Sequence, residues 1–202
     1  MTDTRVAIAD DLEAVTATIT LAFANDPVWG PATANAETDA DRSDVWRAFL
    51  AGAMRYPWTW LTEGAGAVSV WIPPNGTEMS EEQDRALAPL LDARLGPGAA
   101  DYLETLARFD AARPRDEPHY YLSLLGTHPD HRGRGLGMAL LADNLARIDE
   151  EGAPAYLEST NPANDHRYAS VGFEAIGSFV VPYHGHIVTT MWRPARTTRS
   201  PQ

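Results

Sequence analysis

The 202-residue chain contains no cysteine. That absence excludes disulfides, Cys-ligated zinc, iron–sulfur clusters and thiol nucleophiles together. Lysine is missing as well, because all 16 basic residues are arginines. Schiff-base chemistry, a P-loop lysine and a lysine general base are therefore unavailable. No uninterrupted apolar run reaches the roughly 18 residues that a membrane span needs. The opening Met1-Thr2-Asp3-Thr4 is polar and acidic, unlike a signal peptide. A cytoplasmic protein with no membrane association is expected. Cations are scarce, 16 against 28 acidic residues for a net charge of -12, and such a chain repels nucleic acid and anionic lipid. No nucleic-acid partner is expected, and a cationic small molecule suits this charge better.

What is present reads as one globular domain, with 44% hydrophobic and 22% charged residues, close to the soluble average. The pattern predicts a strand at Arg5 to Ile8 and a helix from Asp10 or Asp11 carrying Leu12, Val15, Ile19 and Phe23. Asn25-Asp26-Pro27 stops that helix. Trp29 to Ala40 reads as a loop, and Ser43 as the cap of a second helix. Trp58 to Thr62 and Ala67 to Ile72 form a hairpin. Ser80-Glu81-Glu82-Gln83 is a capping box that starts a helix to about Leu95, followed by another over Ala99 to Arg113. The last third alternates: strand His119 to Thr127, helix Arg134 to Glu151, strand Ala155 to Thr160, short helix Asn164 to Ser170, then strands near Phe173 to Val181 and His186 to Trp192. A strand–helix–strand unit followed by a hairpin implies a mixed sheet. A single domain over 1-193 is expected, with a helical insertion at about 76-113 and a flexible tail over 194-202.

The segment Thr127-His128-Pro129-Asp130-His131-Arg132-Gly133-Arg134-Gly135-Leu136-Gly137 carries the most chemistry. Three glycines at alternate positions stand where a strand has ended and a helix begins. Glycine permits close approach to the backbone, and the free N–H groups of a helix N-terminus make an anion site. A polyphosphate ligand is the natural reading. A Walker A loop fails for want of lysine, and Gly-x-Gly-x-Gly is not the dinucleotide spacing. A glycine-rich turn without a ligand stays open as the alternative.

Arg132-x-x-Gly135-x-Gly137, with Pro129 before it and Leu140-Leu141 after it, resembles the Arg/Gln-x-x-Gly-x-Gly/Ala motif of the GCN5-related N-acetyltransferase (GNAT) superfamily. Asn161, Tyr168 and Gly172-Phe173 are similar to that family's Asn…Tyr…Gly-Phe segment. Within the superfamily, Arg113-Pro114-Arg115-Asp116-Glu117-Pro118, His128-Pro129-Asp130-His131, Gly152 to Ser159 and Val68-Ser69-Val70-Trp71 resemble the puromycin N-acetyltransferase branch. The resemblance implies an α/β fold (α+β mixed sheet) with a central mixed β-sheet flanked by helices. It also implies a splay between the strands ending near Thr127 and starting near Ala155.

The same resemblance implies acetyl-CoA as a substrate and no metal. Leu125, Gly126 and Thr127 would pair with the pantetheine arm as a pseudo-strand. Arg132, Gly133, Arg134, Gly135, Leu136, Gly137 and Met138 would surround the pyrophosphate, and Asn161 would bond the pantetheine region. Tyr168 occupies the family's general-acid position, with a half-buried helix aromatic as its bland reading. Glu158, at a strand end facing the slot, is the candidate base, or else an ordinary strand-end carboxylate. Asp26 is a candidate for holding a cationic acceptor, or else part of its turn. Trp71, with Trp58 and Trp60, is a core aromatic or an acceptor-pocket wall. His184-Gly185-His186 places two imidazoles together without a nearby third ligand, and reads as a solvated turn rather than a metal site.

The function expected is transfer of acetyl from acetyl-CoA to a primary amine of a small molecule. An aminonucleoside-like antibiotic is the acceptor class implied, with antibiotic resistance as the role. A coenzyme-A-binding regulatory module and a protein N-acetyltransferase remain as alternatives, and the chain would act as a monomer or homodimer.

Overall fold

The edge strand Thr4–Val6 (β1) leads into a turn locked by Asp11, which accepts from Ile8 N at 2.8 Å and pairs with Arg5 at 2.6 Å. That turn launches Leu12–Phe23 (α1). The computed structural model describes residues 3–196. The stretch expected as a loop contains a four-residue helix, Trp29–Ala32 (α2), because Asp26 Oδ1 accepts from Val28 N at 2.9 Å and Trp29 N at 3.0 Å and so starts a helical turn. The next helix, Asp39–Ala53 (α3), begins before Ser43. Thr38 caps it instead, since Thr38 and Asp41 satisfy each other's backbone N–H groups.

Thr59–Thr62 (β2) and Ala67–Ile72 (β3) form the expected hairpin. Glu81–Leu95 (α4) starts from the Ser80–Gln83 capping box and tolerates Pro89, and Ala99–Ala112 (α5) follows. Then come Tyr120–Thr127 (β4), Leu136–Glu150 (α6), Ala155–Ser159 (β5), Asp165–Ser170 (α7), Glu174–Val180 (β6) and Ile187–Arg193 (β7). Phe173 is not in β6 but just before it, buried in the core on the α6 side. Of the tail expected over 194-202, residues 197–202 lie outside the described residues.

The seven strands form one mixed sheet in the order β1-β2-β3-β4-β5-β7-β6, in which only β4 and β5 run parallel. Helices cover both faces. Val15 and Ile19 of α1, Val45 and Leu50 of α3, Leu91 of α4 and Tyr102 of α5 fill one core. Leu140, Leu141, Leu145 and Ile148 of α6 fill the other against Leu122 and Leu157. The mixed α/β architecture agrees with the expectation.

Two irregularities open the sheet. The β3–β4 register passes from Val70↔Leu124 to Trp71↔Leu122, so Ser123 is a bulged residue with no partner on β3. The β4–β5 pairing covers Tyr120↔Ala155, Tyr121↔Tyr156 and Leu122↔Leu157 and ends there, although β4 continues to Thr127 and β5 to Ser159. The expected splay is therefore present.

Buried Arg193, on β7, fastens the far side. It donates to Asp149 at the end of α6 through two 2.6 Å bonds and to Val171 O at 3.0 Å, with 2% of its side chain exposed. Removing one partner of such a pair leaves an uncompensated buried charge. Asp149→Ala is expected to cost about 3 kcal/mol, read as a lower urea midpoint with an unchanged m value.

Candidate active site

The splay continues into a cavity of about 650 Å³. Its floor is the free edge of β4, with Leu125, Gly126 and Thr127 among the lining residues. Gly126 is required there for space, because a Cβ would lie 2.9 Å from both Ile19 Cδ1 and Ala22 Cβ of α1. Past Leu122 the side of β4 that faces β5 has no strand partner, so its backbone groups are open to an extended ligand.

At the end of β4 the chain turns into α6. Gly135 is the N-cap, at φ 74°, and Gly133 stands at φ 76°; both conformations favour glycine. The first α6 backbone bond runs from Ala139 N to Gly135 O at 2.9 Å. The N–H groups of Leu136, Gly137 and Met138 therefore have no acceptor within the helix, and these residues line the cavity. Gly137 keeps the helix close to β4, since its Cβ would lie 2.8 Å from Thr127 Oγ1. This donor set fits a pyrophosphate.

Arg132 lines the cavity, and its Nη2 donates to Ala22 O at 3.0 Å. Arg134 does not line it; this exposed side chain contacts His131 Nδ1 at 3.2 Å. Asn161 lines the opposite wall, its Oδ1 accepting from Ala163 N at 3.1 Å. Asp26 lines the cavity too, and both of its carboxylate oxygens serve as struts. Its Oδ1 holds α2 and its Oδ2 accepts from Thr160 Oγ1 at 2.7 Å, which ties the end of α1 to the end of β5. Trp71 corrects the sequence reading. Its side chain is fully buried on the α6 side, with Nε1 donating to Asn144 Oδ1 at 3.0 Å, and it does not line this cavity. His186 Nε2 is bonded to Thr160 O at 2.8 Å. Among the described residues no three His, Cys, Asp or Glu side chains are grouped to hold a metal.

Glu158 and Tyr168 face the same cavity. Glu158 Oε1 is sealed from water with no hydrogen-bond partner. Burial pushes the Glu158 carboxyl up to about 7, although the Arg113 guanidinium and the Tyr121 and Tyr156 hydroxyls pull the other way; Glu78 adds to the rise. Tyr168, packed edge-on to Phe173 at 6.3 Å, is pushed up to about 12, first by burial and then by the Asp26 and Asp165 carboxylates. A carboxyl poised near neutrality and a phenol held protonated share one cleft.

Sequence reasoning missed the group behind Glu158. Glu78, just before α4, accepts from Ser123 Oγ at 2.5 Å and from Arg113 Nη2 at 3.0 Å. The Arg113 guanidinium lies 3.8 Å over the Tyr121 ring. No local motif marks these residues, which lie 35 positions apart for the ion pair and meet only through the fold.

The acetyltransferase (GNAT) family model matches residues 65–173, more than half of the chain, and the protein belongs to that family. Solved structures agree in fold. An acetyltransferase from Corynebacterium glutamicum, "histone acetyltransferase HPA2 and related acetyltransferase", is similar at 22% identity and TM-score 0.67, covering 99% of this chain and 100% of that one. Arylalkylamine N-acetyltransferase 2 from Aedes aegypti aligns at 11% identity and TM-score 0.69, covering 95% and 98%. An agmatine N-acetyltransferase mutant aligns at 16% identity and TM-score 0.63, covering 94% and 97%.

Carboxyl-resolved carbon NMR, with Glu158→Gln for assignment, should follow Glu158 through a midpoint of about 7. Arg113→Met should raise that midpoint, since a cation favouring the carboxylate is lost. Folded Glu158 keeps its proton above its ordinary value of 4.5, so its contribution to stability declines as pH rises from 4.5 to about 7 and is flat above. In Glu158→Gln that decline should be absent from unfolding free energies measured across the same window.

Proposed function

We propose that this family member transfers the acetyl group of acetyl-CoA to a primary amine of a small molecule, with an aminonucleoside-like antibiotic as the acceptor class and resistance to it as the cellular role. The reading describes a single-domain, metal-independent enzyme of the cytoplasm. The observation that carries it is the meeting in one cavity of the open β4 edge, the α6 N-terminus, Glu158 and Tyr168.

Acetyl-CoA, when bound, supplies an acetyl thioester. The N–H groups of Leu136, Gly137 and Met138 are the pyrophosphate's donors, with Arg132 beside them and Gly133 and Gly135 keeping the approach clear. Arg134 contributes charge from the surface. Leu125, Gly126 and Thr127 hold the pantetheine arm along the strand edge, with Asn161 opposite. A β4 backbone N–H polarises the acetyl carbonyl.

Glu158 takes the proton of the incoming ammonium, leaving a neutral nitrogen. As the C–N bond forms and the C–S bond breaks, Tyr168 gives its proton to the departing sulfur. The second proton released by nitrogen returns to the phenolate through solvent, so atoms and charges balance. Because the chain has no cysteine, no acetyl-cysteine forms, and transfer is direct.

Thiol release from acetyl-CoA with a panel of amines, puromycin included, tests this reading, and the protein adds no thiol background. Tyr168→Phe is expected to lower turnover by about 10²-fold while calorimetric coenzyme A affinity stays within roughly twofold. Wild-type kcat/KM should rise through a midpoint near pH 7, where Glu158 ionises, to a plateau above it, and Glu158→Gln should lack that limb. Coenzyme A binding without thiol release from any amine would favour a regulatory module instead.

A further inference from the structure

A second cavity, of about 770 Å³, lies on the α1–α5 face of the sheet, walled by α3, α4, α5 and β4. Trp29, Phe109 and Ser123 line both cavities, so the two meet at the β4 bulge. The cofactor reading leaves this space unused, and its volume falls in the range of roughly 300–1,000 Å³ typical of small-molecule sites.

Its walls are aromatic. Trp29 packs against Trp46, Tyr102 and Phe109 with ring centroids 5.7, 5.6 and 5.3 Å apart, and Phe49 adds to the surface. Two polar groups in these walls lack partners. Tyr102 is fully buried and its hydroxyl has no hydrogen-bond partner; Arg113 Nε has none either. Buried donors without acceptors are costly, and both residues line this cavity beside its aromatic wall. Glu78 is already satisfied by Ser123 and Arg113. The carboxylates of Glu81, Asp84 and Asp110 at the mouth are exposed and share it with exposed Arg55 and Arg115.

We infer that this cavity is the acceptor chamber, which takes a primary amine carried on a planar apolar ring system that bears an oxygen acceptor. The ring packs on the Trp29–Phe49–Phe109 wall, the oxygen meets Arg113 Nε–H and Tyr102 O–H, and the amine reaches through the Trp29–Phe109–Ser123 opening toward Glu158. A linear polyamine finds no buried carboxylate here without a partner of its own, since Glu78 is held by Arg113 and Ser123. The inference rests on the acetyltransferase reading and adds the acceptor's chemistry to it.

The experiment compares tyrosine methyl ester, phenethylamine and putrescine by thiol release, and by calorimetry on the coenzyme-A-loaded protein. Tyrosine methyl ester should bind and show at least a tenfold higher kcat/KM than putrescine. Tyr102→Phe removes only an unpartnered hydroxyl, and should raise KM several-fold for the ester and leave that for phenethylamine unchanged. Ala107→Trp, on the exposed face of α5 at the chamber mouth, should raise KM for both aromatic amines at least tenfold with coenzyme A affinity intact. A preference for putrescine, no calorimetric binding of either aromatic amine, or an unchanged aromatic KM in Ala107→Trp would each overturn the chamber while leaving coenzyme A binding and thiol release in place. Absence of coenzyme A binding would instead remove the acetyltransferase reading itself.

Discussion

Two parallel strands that stay together for three residue pairs and then part are the constraint on which the rest of this protein is built. Beyond Leu122↔Leu157 the inner edges of β4 and β5 face each other without hydrogen bonds. Exposed backbone in the middle of a sheet needs a partner, and here the geometry leaves that place to a ligand. The gap also decides where everything else can act. It sets the amides at the start of α6 at one end, Glu158 and Tyr168 along the opposite wall, and the Ser123 opening below. Asp26 to Thr160 and Arg132 to Ala22 O brace the gap from α1, so the two sides are cross-linked.

The electrostatics inside the gap are a contest that burial wins. Arg113 stands near enough to Glu158 to favour its ionisation, yet the carboxyl is still held near 7, because burial outweighs that cation and Glu78 adds to the rise. Tyr168 is driven the other way from usefulness as a base, to about 12, and so stays a proton donor. The net charge of -12 matters at this site less through the overall field than through these few desolvated groups.

The sequence disclosed the local features. Glycines at strand-to-helix turns, the Ser80 capping box and the strand–helix–strand alternation each follow from chemistry within a few residues, and their elements stand where expected. Tyr168 and Asn161 were legible through a resemblance in spacing. The start of α3 was not, because Ser43 and Thr38 are both chemically suitable caps and only Thr38 has a reciprocating Asp41 three residues on. Trp71 sat on a strand whose two faces are both buried, so periodicity gave no clue to which side it faced. Asp26 was readable as part of its turn, but its bond to Thr160, far along the chain, was not. The Glu78–Arg113–Ser123 cluster, finally, joins an insertion to the central sheet, and no window of sequence spans that distance.

Ser123 has one more consequence, which concerns parity. Tyr121, Leu124 and Gly126 point to the α1 side of the sheet, while Tyr120, Leu122 and Thr127 belong with α6. Alternation along β4 would be unbroken if Ser123 were simply omitted, since its two neighbours already lie on opposite faces. A strand one residue shorter would thus keep every apolar side chain on its present side and straighten the ladder to β3. The extra residue is superfluous to the sheet and lies, with Trp29 and Phe109, where the two cavities touch.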